Sequence, residues 1–160
     1  MRLIACLCLA FATTAAAAPS RLIVARDAWA AFDRGAACEA LARPIAAPGK
    51  RDAMPYVAIA FDRTGPRQGQ LFAQLRRPVR AGSSVLLTIG DQPFLLVAKG
   101  ATAWSKDSVQ EAAILTAMRA AGGMRLQARD SSGRRMSDRY LLAGAPTAID
   151  AAAAACSLPR

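Results

Sequence analysis

The chain contains no histidine. Ser-His-Asp triads, Cys-His pairs and imidazole-ligated zinc are therefore excluded, and with them most common hydrolases. Carboxylates, lysines, cysteines and arginines remain as chemical groups. Asp91, Asp107, Glu111 and Asp138 are the carboxylates that acid/base hydrolysis would have to set across a cleft, and their spacing identifies no such pair. Ser105-Lys106 together with Lys99 has the residue types of a serine-lysine nucleophile. That chemistry requires a desolvated lysine within reach of the hydroxyl, whereas side chains adjacent in sequence point apart on a strand or helix. Asp138 stands in sequence among Arg129, Arg134, Arg135 and Arg139, so it is expected in a structural ion pair. No Gly-rich phosphate loop is present. The reading assigns no catalytic residue, no cofactor and no metal site.

The strongest functional pattern is cationic. Lys plus Arg is 21 and Asp plus Glu is 11, a net charge of +10, enough to favour anionic partners. The excess is carried by 18 Arg against 3 Lys beside 39 Ala, a combination that a GC-rich genome also writes onto any protein. Between 124 and 129, Met, Leu and Ala alternate with Arg125, Gln127 and Arg129, which turns one face of a strand inward and a cationic face outward. Arg125, Arg129, Arg134 and Arg135 are thus the candidate anion-binding residues; a merely solvated face is the alternative. Nucleic-acid readers interleave aromatics with basic residues, and only Tyr140 is nearby, so nucleic acid is not the expected partner. Phosphate or sulfate groups on lipid or polysaccharide fit better. An envelope protein held along an exposed sheet edge is the rival partner.

The first residues point to a compartment. Met1-Arg2 is followed by an almost wholly apolar run from Leu3 to Phe11 and by the small residues Ala15 to Ala18, which reads as a secretory signal over residues 1–17 ahead of one domain at 18–160. The apolar run is too short to span a bilayer, and no other stretch is long enough. Cleavage would remove Cys6 and Cys8 and leave Cys38 and Cys156 in a periplasmic or secreted, oxidising location. There two cysteines are expected to pair, with two free buried thiols as the alternative.

These groups must be held by elements, and the pattern is dominated by strands. Alternation around Val57, Ile59 and Phe61 predicts a strand over 53–62, and 70–76 follows it after a turn-rich stretch. Runs at 83–89 and 93–98 flank Gly90-Asp91 as a hairpin, with 102–104 continuing the sheet. The stretches 124–129 and 136–142 flank Ser131-Ser132-Gly133 as a second hairpin. Helices are expected at about 108–121, with Ser108 and Glu111 as a capping box, and at about 146–156, started by Pro146. Trp29 and Trp104 are expected as core anchors. The fold class is mainly β: an antiparallel, sandwich-like domain with both helices packed on the sheet, or α+β as the alternative.

Five pieces in order then resemble a known family. Arg77-Pro78-Val79 leads into Val85-Leu86-Leu87-Thr88-Ile89-Gly90; Pro93-Phe94-Leu95-Leu96, Ala103-Trp104 and Ala117-Met118-Arg119 follow; Asp138-Arg139-Tyr140-Leu141-Leu142-Ala143-Gly144 precedes Ala148-Ile149 and Cys156. Trp29, nine residues before Cys38, fits the family's opening Trp and Cys. The chain resembles the invasion-associated locus B family of exported alphaproteobacterial proteins, without the further cysteines that many members carry around the segment 94–103. The resemblance implies an exported β-rich domain of the envelope or of host-cell invasion, with no catalytic centre to transfer.

Overall fold

The computed structural model describes residues 20–157; the expected leader, with Cys6 and Cys8, lies outside the described residues. Ten strands form one antiparallel sheet. They are β1 (Arg21–Arg26), β2 (Trp29–Asp33), β3 (Ala37–Ala42), β4 (Tyr56–Asp62), β5 (Gln68–Gln74), β6 (Val85–Ile89), β7 (Gln92–Lys99), β8 (Thr102–Trp104), β9 (Gly123–Arg129) and β10 (Arg135–Leu141), in spatial order β1-β2-β3-β4-β5-β8-β7-β6-β9-β10. Helix α1 (Ser108–Ala120) precedes β9, and α2 (Ala145–Ser157) ends the described chain. The protein is mainly β with two helices, as its pattern predicts. The expected layers of a sandwich are a single ribbon that curls into a half-barrel. β7 carries the bend, pairing with β6 up to Leu96 and with β8 from Val97 onward.

Residues directly opposite across an antiparallel ladder share a face, and following the register from strand to strand traces one inward surface. Trp29, Ala31, Cys38, Ala40, Ile59, Leu71, Ala103, Leu96, Leu87, Leu126, Met124 and Tyr140 lie on it and are buried. Both helices sit on this concave side. α1 buries Ile114, Ala117 and Met118, with Leu115 against Gly69. α2 packs over β1 to β4 and is stapled to β3 by the Cys38–Cys156 disulfide, which closes a loop of 118 residues. In the chain-entropy account such a loop contributes about 4 to 5 kcal/mol.

The curl brings β10 back toward the start of the chain. Trp29 Nε1 donates to the Leu141 carbonyl (2.8 Å), Ile45 N to the Arg139 carbonyl (2.8 Å) and Ala28 N to the Ala143 carbonyl (3.3 Å). Gly144 makes this approach possible: its φ is +84°, and a Cβ there would lie 2.0 Å from the Arg26 carbonyl oxygen. Only glycine accepts both conditions.

Two details depart from expectation. The N-cap of α1 is Asp107, whose carboxylate accepts from Gln110 N (2.8 Å), and Glu111 accepts instead from the buried Ser105 hydroxyl (3.1 Å). The helix therefore begins one residue earlier than a Ser108 cap would place it. Trp104 is not in the core. It shares the outer face with its direct neighbours Phe72 and Val97 and is half-buried, because Ala103 is the β8 residue whose parity points inward.

Candidate anion-binding site

The hairpin β9–β10 separates two kinds of charge. Its register pairs Arg125 with Arg139, Gln127 with Ser137 and Arg129 with Arg135. All six side chains are on the outer face and exposed, and they sit over Met124, Leu126, Met136 and Tyr140, which are buried on the inner face. The outer face thus holds two cross-strand arginine pairs, four residues or about 13 Å apart along the strand. Like charges directly opposite each other on a sheet are destabilising. Among the described residues, none of these four guanidinium groups has a carboxylate within ion-pair distance; Arg129 donates only to the Gly133 carbonyl (3.0 Å).

Each pair lines a shallow depression. Arg125 and Arg139 line a depression of about 450 Å³ together with Thr88, Ile45, Leu141 and one carboxylate, Asp91. Arg129 and Arg135 share one of about 530 Å³ with Ser83, Ser84, Ser137 and the apolar Leu86 and Leu95. Guanidinium forks beside hydroxyl donors are suited to bind the oxygens of phosphate, sulfate or carboxylate groups.

Arg134 belongs elsewhere. It lies in the hairpin turn, where Asp130, only 2% exposed, organises the backbone. Asp130 accepts from Ser132 Oγ (2.7 Å), Ser132 N (3.0 Å), Arg134 N (2.9 Å), Arg134 Nε (2.9 Å) and Arg77 Nε (2.8 Å). The Ser132 hydroxyl first, then Arg134 and Arg77, hold its carboxyl well below the usual carboxylate range against the opposing effect of burial. Arg134 is therefore spent on the turn. Arg139 takes its place on the outer face, and the sequence does carry the signal: Arg135, Ser137 and Arg139 share one parity.

Asp138 is the structural ion pair that its surroundings suggest, with a partner distant in sequence. It is buried on the inner face, and Arg76 Nε donates to both its oxygens (2.8 and 3.0 Å), with a further contact from Nη2. Hydrogen bonding to Asp138 raises the affinity of Arg76 for its proton further. Arg77 next in sequence bridges Asp52 (2.7 Å) and Asp130, so consecutive arginines after β5 tie three buried or half-buried carboxylates together. Tyr140 is 1% exposed and has no free ring face for stacking bases; burial pushes its phenol well above the ordinary range.

The other chemical candidates are dispersed or engaged. Ser105 is bonded to Glu111, Lys99 and Lys106 are exposed, Asp107 caps α1, Asp91 is exposed and Asp138 is held by Arg76. Among the described residues no group of three or more Asp, Glu or Cys could hold a metal ion, and no helix is long and apolar enough to cross a membrane. No protein-family model, no curated protein and no solved structure matches the chain.

Proposed function

We propose that this protein is a non-catalytic binding domain, exported to the periplasm or beyond the cell in the manner of the invasion-associated locus B family it resembles, which binds anionic surface groups through Arg125, Arg129, Arg135 and Arg139. The carrying observation is the double arginine pairing on the outer face of β9–β10. Two like-charged cross-strand pairs without carboxylate partners cost folding energy, and an anion bridging each pair relieves that cost. The buried acidic groups of the same hairpin are satisfied internally by Arg76, Arg77 and Arg134, so the outer arginines are not needed to neutralise them.

An envelope partner held along a sheet edge is less favoured. The outer edge of β10 already accepts from Ile45 N and Trp29 Nε1. β1, the opposite edge, has an irregular register between Leu22 and Val24 and carries Arg21 and Arg26 at its ends, features that blunt edge pairing.

Retention of the protein on a heparin column tests the reading. Changing Arg125, Arg129, Arg135 and Arg139 to Gln together should abolish most retention at 150 mM salt, since each lost contact also lowers the salt dependence. Changing Arg43, Lys50, Arg51 and Arg80, exposed positions outside the hairpin, to Gln removes the same charge and should leave most retention in place. Equal losses from the two sets would reduce the effect to net charge and overturn the site.

A further inference from the structure

The helices cover the concave side of the sheet, and part of the convex side is apolar. Direct cross-strand neighbours build an apolar row across six strands: Ala30, Leu41, Ala58, Phe72, Trp104 and Val97. The solvated face of an antiparallel sheet ordinarily alternates to polar residues. At the β7 end the row rises into solvent, where Val97 is 42% and Leu95 61% exposed. The strand is changing partners there, and the Leu95 carbonyl accepts from the Gln110 side chain (3.0 Å).

Cations border this apolar point on two sides. Leu95 and Leu86 share one depression with Arg129 and Arg135. Leu95 and Val97 share an adjoining one with Lys106, and Lys99 follows Val97 with the same outward parity. Lys106 is also within 3.6 Å of Asp107, both of them exposed. Neither depression is lined by a carboxylate. Protruding aliphatic side chains ringed by Arg and Lys, with a Trp at the margin, match the layered chemistry of an anionic bilayer surface: phosphates outside, acyl chains beneath. A soluble polysaccharide would satisfy the arginines but offers nothing to Leu95 and Val97.

We infer that the convex face seats the protein on an anionic lipid bilayer, with Leu95 and Val97 entering the headgroup–acyl boundary and Arg129, Arg135 and Lys99 meeting lipid phosphates. This rests on the anion-binding reading above and names the source of the anions.

Co-sedimentation of the full chain with vesicles tests it, using phosphatidylglycerol mixed into phosphatidylcholine, phosphatidylcholine alone, and the heparin column in parallel. Wild type should bind the anionic vesicles and not the neutral ones. Val97→Ser, exposed, outside the core and outside the depression that holds Arg129 and Arg135, should weaken vesicle binding about tenfold while heparin retention stays unchanged. A Leu95→Trp variant should show a blue-shifted emission on anionic vesicles only. Undiminished vesicle binding by the Val97→Ser variant, or wild type retained on heparin but free of vesicles, overturns the bilayer assignment and leaves the anion site standing. Failure on both vesicles and heparin overturns the two together.

Discussion

The inner and outer faces of β9–β10 carry charge under opposite rules. On the inner face, Asp138 is enclosed and held by the Arg76 fork; at the turn, Asp130 is buried and saturated by Ser132, Arg134 and Arg77. On the outer face, four arginines stand pairwise opposite one another with no carboxylate partner. A charge withdrawn from water must be compensated, or folding loses several kcal/mol. A charge left in water is screened, so a favourable or unfavourable pairing there shifts stability by only a few tenths of a kcal/mol to about 1 kcal/mol. The inner charges accordingly belong to the architecture, and the outer ones are available to a ligand.

The contrast is broken most forcefully from the inside. Asp138→Ala leaves the Arg76 guanidinium in a largely enclosed site with only the longer contact to Asp52 (3.9 Å), and denaturant unfolding should show a loss of about 3 kcal/mol. Replacing both members with apolar residues of similar size, Arg76→Met with Asp138→Leu, should recover most of that loss. If the double variant is as unstable as the single one, the pair has a structural role beyond mutual compensation.

Asp130 sharpens the comparison through pH. Its folded-state carboxyl is held below the ordinary value of 3.8, so the unfolded chain takes up the proton first. The stabilisation is fully present above about pH 4 and is lost as pH falls from there through the lowered folded-state value. Stability curves of wild type should therefore drop on acidification below pH 4, and Asp130→Asn should flatten that limb. An Asp130 resonance titrating at or above the ordinary value in NMR would contradict the network.

The smallest stability effect belongs to the outer face. Arg125→Gln with Arg139→Gln removes one like-charged pair and should change stability by no more than about 0.5 kcal/mol, in the stabilising direction, and on the proposed function it should also lower anion retention. A loss of 2 kcal/mol or more in thermal or urea unfolding would mean that these arginines are structural.

Local pattern made much of the second half of the fold legible. Alternation located β9 and β10, glycines and polar residues located their turns, and the two helices fall within one residue of their expected ends. The strands β1 to β3 carried no comparable signal. Sequences such as Trp29–Asp33 and Ala37–Ala42 are rich in alanine, which has little preference for a pleated surface, and they are strands because α2 and the disulfide cover them. Trp104 was misplaced for a related reason, since a three-residue strand shows too little alternation to reveal which parity faces the core.

By itself, the sequence determined the absence of imidazole chemistry, the excess of arginine and the in-and-out alternation of the hairpin. These are matters of composition and of period two, both readable along a chain. Tertiary structure decided that Arg76 and Arg77 hold Asp138 and Asp130 across separations of 62 and 53 residues, that Arg134 serves the turn while Arg139 joins the cationic face, and that an apolar row runs beside that face. Partnership across a curled sheet depends on register and on which ends the curl brings together, and register is a relation between strands that no single strand encodes.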